Sequence, residues 1–391
     1  MRFASAVARE RDAADAGRTL TEDIRKGLGD GPVDLACLFL SSHYAQDAET
    51  LCAAVRETLT PTVLLGCTGE GIIGDREEIE VAAAASLWAA RIPGISLTPL
   101  RPSFGDDEEN AGLAWPQAVE ESPHRLFFLL LADPFSTPVS ALLADLADRT
   151  PGALAIGGLA GGGHDLGENR MILNNEVYGD GLVGVALSGP MEVRTIVSQG
   201  CRPIGERYVI TKAEHNVIQE LGGQPAIERL QGMFESLSAE ERRLAHEALH
   251  IGIVMDEHRN QFGRGDFLVR NLVGLDRETG SLAVGDHLRE GQTVQFHVRD
   301  ARTATEDLHL LLAADRARNC PPAKGALLFS CCGRGRGLFG RPHHDVTVLR
   351  ERLGDIPIAG FFAQGEIGPI GGTNFLHGYT ASVALFCDTE T

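Results

Sequence analysis

Residues 34–71 read DLACLFLSSHYAQDAETLCAAVRETLTPTVLLGCTGEG. Asp34 to Leu40 is a short apolar run that opens into a polar loop, Ser41-Ser42-His43-Tyr44. Ala48 to Leu59 has helical spacing. Pro61 then opens a second apolar run that ends at Gly66, followed by Cys67-Thr68-Gly69-Glu70-Gly71. A third run, Ile79 to Trp88, closes the unit. Short apolar runs bounded by Gly and Pro fit strands buried on both faces, and a helix between two of them implies a crossover connection.

The same order recurs twice. From His124, the run Leu126–Leu131 leads to a loop with Asp133, Pro134 and Ser136. A helix over Val139–Asp148, the run Ala153–Ile156 and the Gly157–Gly163 loop follow. Near the C-terminus, Ala326–Ser330 precedes Cys331-Cys332-Gly333-Arg334-Gly335, then a helix over Asp345–Leu353. Ile356–Gly360 leads to Gly365-Glu366-Ile367-Gly368, and a final strand is expected over Phe375–Phe386. The fold class is therefore α/β, with repeated strand-helix-strand-strand units forming mixed sheets in two domains. Between the second and third copies the texture changes. Ala226–His250 is helical, Phe267–Leu275 and Ser281–Val284 read as an antiparallel hairpin inserted in the C-terminal half, and Thr293–Arg299 alternates as a strand. The expected boundaries are an N-terminal helix over 1–30, one domain over 31–195 and another over 196–391.

A chain of 391 residues with 43% hydrophobic and 23% charged side chains is globular and long enough for two cores. The net charge is −19, and no Lys/Arg cluster supplies the basic footprint that nucleic acid or an anionic membrane requires. The eight cysteines form no C-x-x-C pair and several sit in apolar runs, as in Leu35-Ala36-Cys37-Leu38-Phe39. Buried free thiols and a cytoplasmic location fit them better than disulfides. No stretch of 18 apolar residues predicts a membrane span.

Three C-terminal stretches carry a family resemblance: Ser330–Gly335, Ala359-Gly360-Phe361-Phe362-Ala363-Gln364-Gly365-Glu366-Ile367-Gly368-Pro369, and His377-Gly378-Tyr379-Thr380. Gly265–Asn271 and Gly285–Gln295 fit the same pattern. Together they resemble the C-terminal half of FIST proteins, and the half with Gly69-Glu70-Gly71 and the Gly157–Gly163 loop is similar to the FIST N-terminal region. The resemblance covers about residues 30 to 388. It implies an intracellular sensory protein that binds a small ligand, an amino acid or related metabolite, and passes a signal to a protein partner. A haem-based gas sensor and a non-catalytic interaction scaffold are the alternatives it leaves, so haem is the one cofactor in view. A chain of this length is expected to leave no room for an appended kinase, cyclase or F-box.

The candidate ligand set is Cys331, Arg334, Gly335, Glu366, Asn374, His377 and Glu70, with no catalytic set and no metal ligands. Ligands gather at the carboxyl ends of strands in α/β sheets, and Cys331, Arg334 and Glu366 follow expected strand ends. Arg334 between two glycines would present its planar fork to a carboxylate, and Glu366 would meet an ammonium. The competing reading is an internal Arg334–Glu366 ion pair. Cys331 is a nucleophile or simple packing, and His377 a ligand or a satisfied core histidine on an apolar face shared with Phe375 and Tyr379. Glu70 is read as the first-copy counterpart of Glu366, or else as a solvated turn. His246-Glu247-Ala248-Leu249-His250 matches H-E-x-x-H, but the strand-like run after His250 argues against one continuous helix and so against zinc.

Overall fold

The computed structural model describes residues 1–102, 115–120, 125–259, 262–263, 265–318 and 320–388, so His124, the expected start of the second copy, lies outside them. Two compact units form: residues 1–197 with 309–391, and residues 198–308. Residues 309–391 thus belong with the N-terminal half of the chain. The expected single domain over 196–391 is not a compact unit.

The first unit is built from three repeats of one pattern. Each has a lead strand, a first and a second central strand with a helix between them, a short hairpin, and a closing strand. The first repeat uses Arg2–Ala8, Leu35–Ser41, Val63–Gly69, the hairpin Ile72–Gly74/Glu77–Ile79 and Ala85–Arg91. The second uses Ser96–Leu100, Phe127–Ala132, Leu154–Leu159, Met171–Leu173/Glu176–Tyr178 and Leu182–Ser188. The third uses Met191–Ser198, Ala323–Cys331, Ile358–Ala363, Glu366–Ile370/Thr373–His377 and Ala381–Asp388. In every repeat the central strands are parallel and the closing strand runs antiparallel beside the first of them.

The hairpins do not stay at home. The first repeat's hairpin joins the third repeat's sheet, the third's joins the second's, and the second's joins the first's. Pairing registers make the correspondence explicit. Leu38, Leu130 and Leu328 face Gly66, Gly157 and Gly360 across the parallel pairs. Ile172, Ile367 and Ile73 of the visiting hairpins sit opposite those same glycines. The ring closes through matching backbone bonds: Thr68 N to Arg170 O at 2.9 Å, Leu159 N to Gly365 O at 2.8 Å, and Phe362 N to Gly71 O at 2.8 Å. At its centre Phe39, Phe329 and Phe361 meet with ring centroids 5.2–6.1 Å apart, a spacing suited to edge-to-face and tilted aromatic packing.

Three expectations change. The first 30 residues hold a strand before the helix Ala13–Leu28, because small residues alternating in and out along Arg2–Ala8 pair with Ala85–Arg91 and override the helix propensity of alanine. The run Ile79–Trp88 divides into a hairpin arm and the closing strand Ala85–Arg91. Phe375–Phe386 likewise divides where Tyr379 takes φ 66°, so Tyr379 sits in a turn and shares no strand face with His377.

The second unit enters the third repeat between its lead strand and the helix Ala301–Arg316. The first repeat spans the same step with residues 9–12 alone. Its long strand Cys201–Glu214 pairs with Thr293–Arg299 over one part and Val217–Leu221 over the other. Leu249–Val254, Phe267–Asp276 and Ser281–Val284 complete the circuit, so the expected hairpin supplies two neighbouring strands of a closed antiparallel barrel. Its helical stretch is broken in two, because Ser238 and Glu241 form a capping box that starts a new helix.

Two buried histidines, His250 and His297, stand opposite each other in this barrel. Gly252 leaves room for the His297 ring, and His297 Nδ1 donates to Gln295 O at 3.0 Å. Burial lowers both imidazoles to about 4, with Arg299 adding to the effect at His250. Both rings are therefore neutral in the fold, whereas an unfolded histidine takes its proton near pH 6.5. Their contribution is fully present above that value and is lost as pH falls from about 6.5 towards 4, on the order of 3 kcal/mol per ring. Urea midpoints for the barrel should fall across this window, and His297→Phe should remove about half of that fall, leaving the part due to His250. A flat profile in the unsubstituted protein would contradict the burial.

Candidate functional site

In the third repeat, the first central strand ends at Cys331 and the chain turns through Cys332 and Gly333 into the short helix Gly335–Phe339. Arg334 stands just before that helix with its side chain turned inward. Its Nε lies 2.7 Å and its Nη2 2.8 Å from the two carboxyl oxygens of Asp345, and both side chains are fully buried. Ser330 Oγ donates to the same carboxylate at 2.8 Å, and His344 Nδ1 donates to it at 2.9 Å. The His344 ring stacks on Phe339 at 3.4 Å. Burial would raise the Asp345 acid, but the Arg334 guanidinium and the bonds from Arg334 and His344 outweigh it and hold it well below the usual carboxylate range. The ion pair of the competing reading, Arg334 with Glu366, is replaced by one between Arg334 and Asp345.

Asp345 opens the helix His344–Leu353, as its position suggested, but its carboxylate faces the core. The cap comes from the first repeat's hairpin. Glu78 accepts from the backbone N–H of His344 at 3.1 Å and of Val346 at 2.9 Å, and burial followed by the charge of Asp345 pushes its acid up to about 8. Gly335, with φ 59°, lets Glu80 close on the short helix: a Cβ there would lie 2.8 Å from the Glu80 carboxyl. Gly335 therefore serves the frame.

Glu366 opens the third hairpin and is completely buried. Its Oε2 accepts from Thr380 N at 3.0 Å and Thr380 Oγ1 at 2.8 Å. Burial pushes its acid well above the usual range and Cys331 adds to this, against the Thr380 bonds and Arg334. The Cys331 thiol is pushed well up by its bond with Cys332 and by burial. It is held as a thiol. Two polar atoms in this buried cluster lack a hydrogen-bond partner: Arg334 Nη1 and Glu366 Oε1.

The remaining candidates are committed to the frame. Asn374 Oδ1 accepts from Ala155 N and its Nδ2 donates to Ala153 O, both at 2.9 Å, clamping the hairpin to its host strand. Asn174 does the same in the first sheet, where its Oδ1 accepts from Leu64 N at 3.1 Å. His377 Nε2 donates to Gly368 O at 2.9 Å across its own hairpin, the satisfied core histidine of the alternative reading. Glu70 is exposed and accepts from Gly162 N at 3.1 Å. By register its counterpart is Gln364, whose Nε2 donates to Gly163 O at 3.2 Å. The three Gly-rich loops do come together, but Glu70 is not the partner of Glu366.

The repeat supplies an internal control for which polar groups the fold needs. At the position of Glu366 the other two hairpins bury Ile72 and Met171. At the position of Ser330 the other central strands carry Leu40 and Ala132. The backbone N–H that Glu366 satisfies at Thr380 is met at Ala84 by Ser41 Oγ at 3.0 Å and at Gly181 by Ser136 Oγ at 2.8 Å. Two repeats close with a hydroxyl what the third closes with a buried acid. Sequence reading missed Asp345, Ser330 and Thr380, which the third repeat's own fold brings to Arg334 and Glu366, and Glu78, which arrives from the first repeat's hairpin.

Among the described residues no group of three or more His, Cys, Asp or Glu is arranged to hold a metal ion. The H-E-x-x-H match is split, with His246 in the last turn of a helix and His250 in a buried strand. No helix among the described residues is long and apolar enough to cross a membrane. Of the eight cysteines, six are buried and all are free thiols.

The FIST N domain profile matches residues 34–224 and the FIST C domain profile residues 226–369. The chain belongs to the FIST family, whose domains are associated with signal transduction and the sensing of small ligands. It is 41% identical over 391 residues to a Mycobacterium tuberculosis protein described as "Uncharacterized protein Rv0628c", covering 99% of this chain and all of the relative. A Mycobacterium bovis protein described as "Uncharacterized protein Mb0898c" is 40% identical, with 99% of each chain covered.

Proposed function

We propose that this protein is a small-ligand sensor in signal transduction, and that an amino acid or close relative binds against Arg334 and Glu366. The observation that carries this reading is the pair of unpartnered atoms, Arg334 Nη1 and Glu366 Oε1, in a fully buried setting. A buried polar atom without a partner costs about 1–3 kcal/mol, and the other repeats avoid that cost with Ile72 and Met171. Arg334 keeps its Nη1 amino group for a carboxylate while Asp345 holds Nε and Nη2. Glu366 keeps one oxygen for an ammonium. Because burial raises the Glu366 acid, an arriving ammonium restores the carboxylate and expels a proton, so affinity rises with pH.

The test is Glu366→Gln, which retains an amide oxygen for Thr380 and so should melt within a few degrees of the unsubstituted protein. In a thermal-shift panel of amino acids and their decarboxylated amines, one or more amino acids should stabilise the unsubstituted protein. The variant should lose that response. Full retention of the shift by Glu366→Gln would remove Glu366 from the site.

A further inference from the structure

The insertion in the third repeat brings its own hollow. A concavity of about 670 Å³ opens on the outer face of the barrel, over the strands Val217–Leu221 and Ser281–Val284. This volume lies within the range of small-molecule sites. The floor consists of short side chains: Ala283 points outward between the buried Leu282 and Val284, and a Cβ added at Gly274 would meet only the Ala283 methyl, at 3.6 Å. Val217 and Pro225 extend the apolar surface, and Leu275, 56% exposed, stands at its edge.

The rim is polar and already shaped. At one end His215 takes φ 52° in a tight turn fixed by Leu288 N donating to His215 O at 2.8 Å and Val284 N donating to Asn216 O at 2.9 Å. At the other, Asp276 accepts from Glu278 N and Thr279 Oγ1, each at 2.8 Å, which sets the turn between two barrel strands. A rim that needs no ordering loses less entropy on binding than a mobile one.

Charge selects the occupant. Lys212 stands directly opposite Glu220 in the ladder, so these two offset one another. Glu214 and Asp276 remain, two negative charges over an apolar floor, on a chain whose net charge is −19. We infer that the barrel hollow is a second binding site, separate in chemistry from Arg334 and Glu366, for a small organic cation with a hydrocarbon body. The apolar part would cover Ala283, Val217 and Leu275, with the cationic end at Glu214 and Asp276. The carboxylates are exposed, so attraction is modest and screened by salt.

Three probes with one hydrocarbon body separate the terms: hexylammonium, hexanol and hexanoate, titrated into the full chain and followed by saturation-transfer NMR and amide shifts. Hexylammonium should bind most tightly, hexanol about three- to tenfold more weakly, and hexanoate most weakly. Raising salt should narrow the difference between hexylammonium and hexanol. Ala283→Phe fills the hollow from an outward-facing position and should abolish the hexylammonium response with the barrel still folded. Glu214→Gln should weaken it about threefold and leave hexanol unchanged. The inference is overturned if no probe binds, if hexanoate matches hexylammonium, or if Ala283→Phe leaves the response intact.

Discussion

Asp345→Ala is expected to lower the unfolding free energy of the repeat ring by about 3–5 kcal/mol, because it leaves the buried Arg334 guanidinium without its counter-charge. Ser330 Oγ and His344 Nδ1 lose their acceptor in the same step. Denaturant unfolding followed by intrinsic fluorescence reads the change. Asp345→Asn should fall between, since an amide still accepts one bond. The double substitution Arg334→Met with Asp345→Leu removes both charges and should recover most of the stability. It should not recover any response to an amino acid. That split separates what the fold needs from what binding needs. A loss below about 1 kcal/mol for Asp345→Ala would show the pair to be solvated rather than buried.

The second large effect lies at the three glycines that the registers equate. A Cβ would come within 2.2 Å of Leu38 O at Gly66, 1.7 Å of Leu130 O at Gly157 and 1.7 Å of Leu328 O at Gly360. The obstacle in each case is the backbone of the parallel neighbour, which cannot move without parting the central strands. Gly66→Ala, Gly157→Ala and Gly360→Ala should therefore each cost about 3 kcal/mol or more, at the upper end for overpacking. Gly274→Ala is the control, with ordinary contact to Ala283, and should be nearly neutral. If one of the three central glycines tolerates alanine while the others do not, the equivalence of the repeats fails at that sheet.

How far this was legible follows from range. The apolar runs at Leu35, Leu126 and Ala326, and the helices after them, announce themselves because buried parallel strands and amphipathic helices have periods that a short window detects. The three-fold order was visible for the same reason. The hairpins were not, since arms of three residues such as Ile72–Gly74 and Met171–Leu173 are too short to show a period and pair with another repeat's sheet. Arg2–Ala8 looked helical because alanine-rich sequence favours a helix until a long-range partner offers a ladder. Arg334 and Glu366 stood out as charged residues at strand ends, and both are buried in one cluster. Their partners were misassigned because Asp345, read only as the start of a helix, turns its carboxylate inward while Glu78 from another repeat takes over the capping.

The central claim is that Arg334 Nη1 and Glu366 Oε1 are left open for a ligand. A crystal structure of the protein grown with the amino acid that most raises its melting temperature tests this most directly. Density for its carboxylate on Arg334 Nη1 and its ammonium on Glu366 Oε1 is the predicted result. An amino acid lying elsewhere, with these two atoms bridged only by water, is the contradicting result.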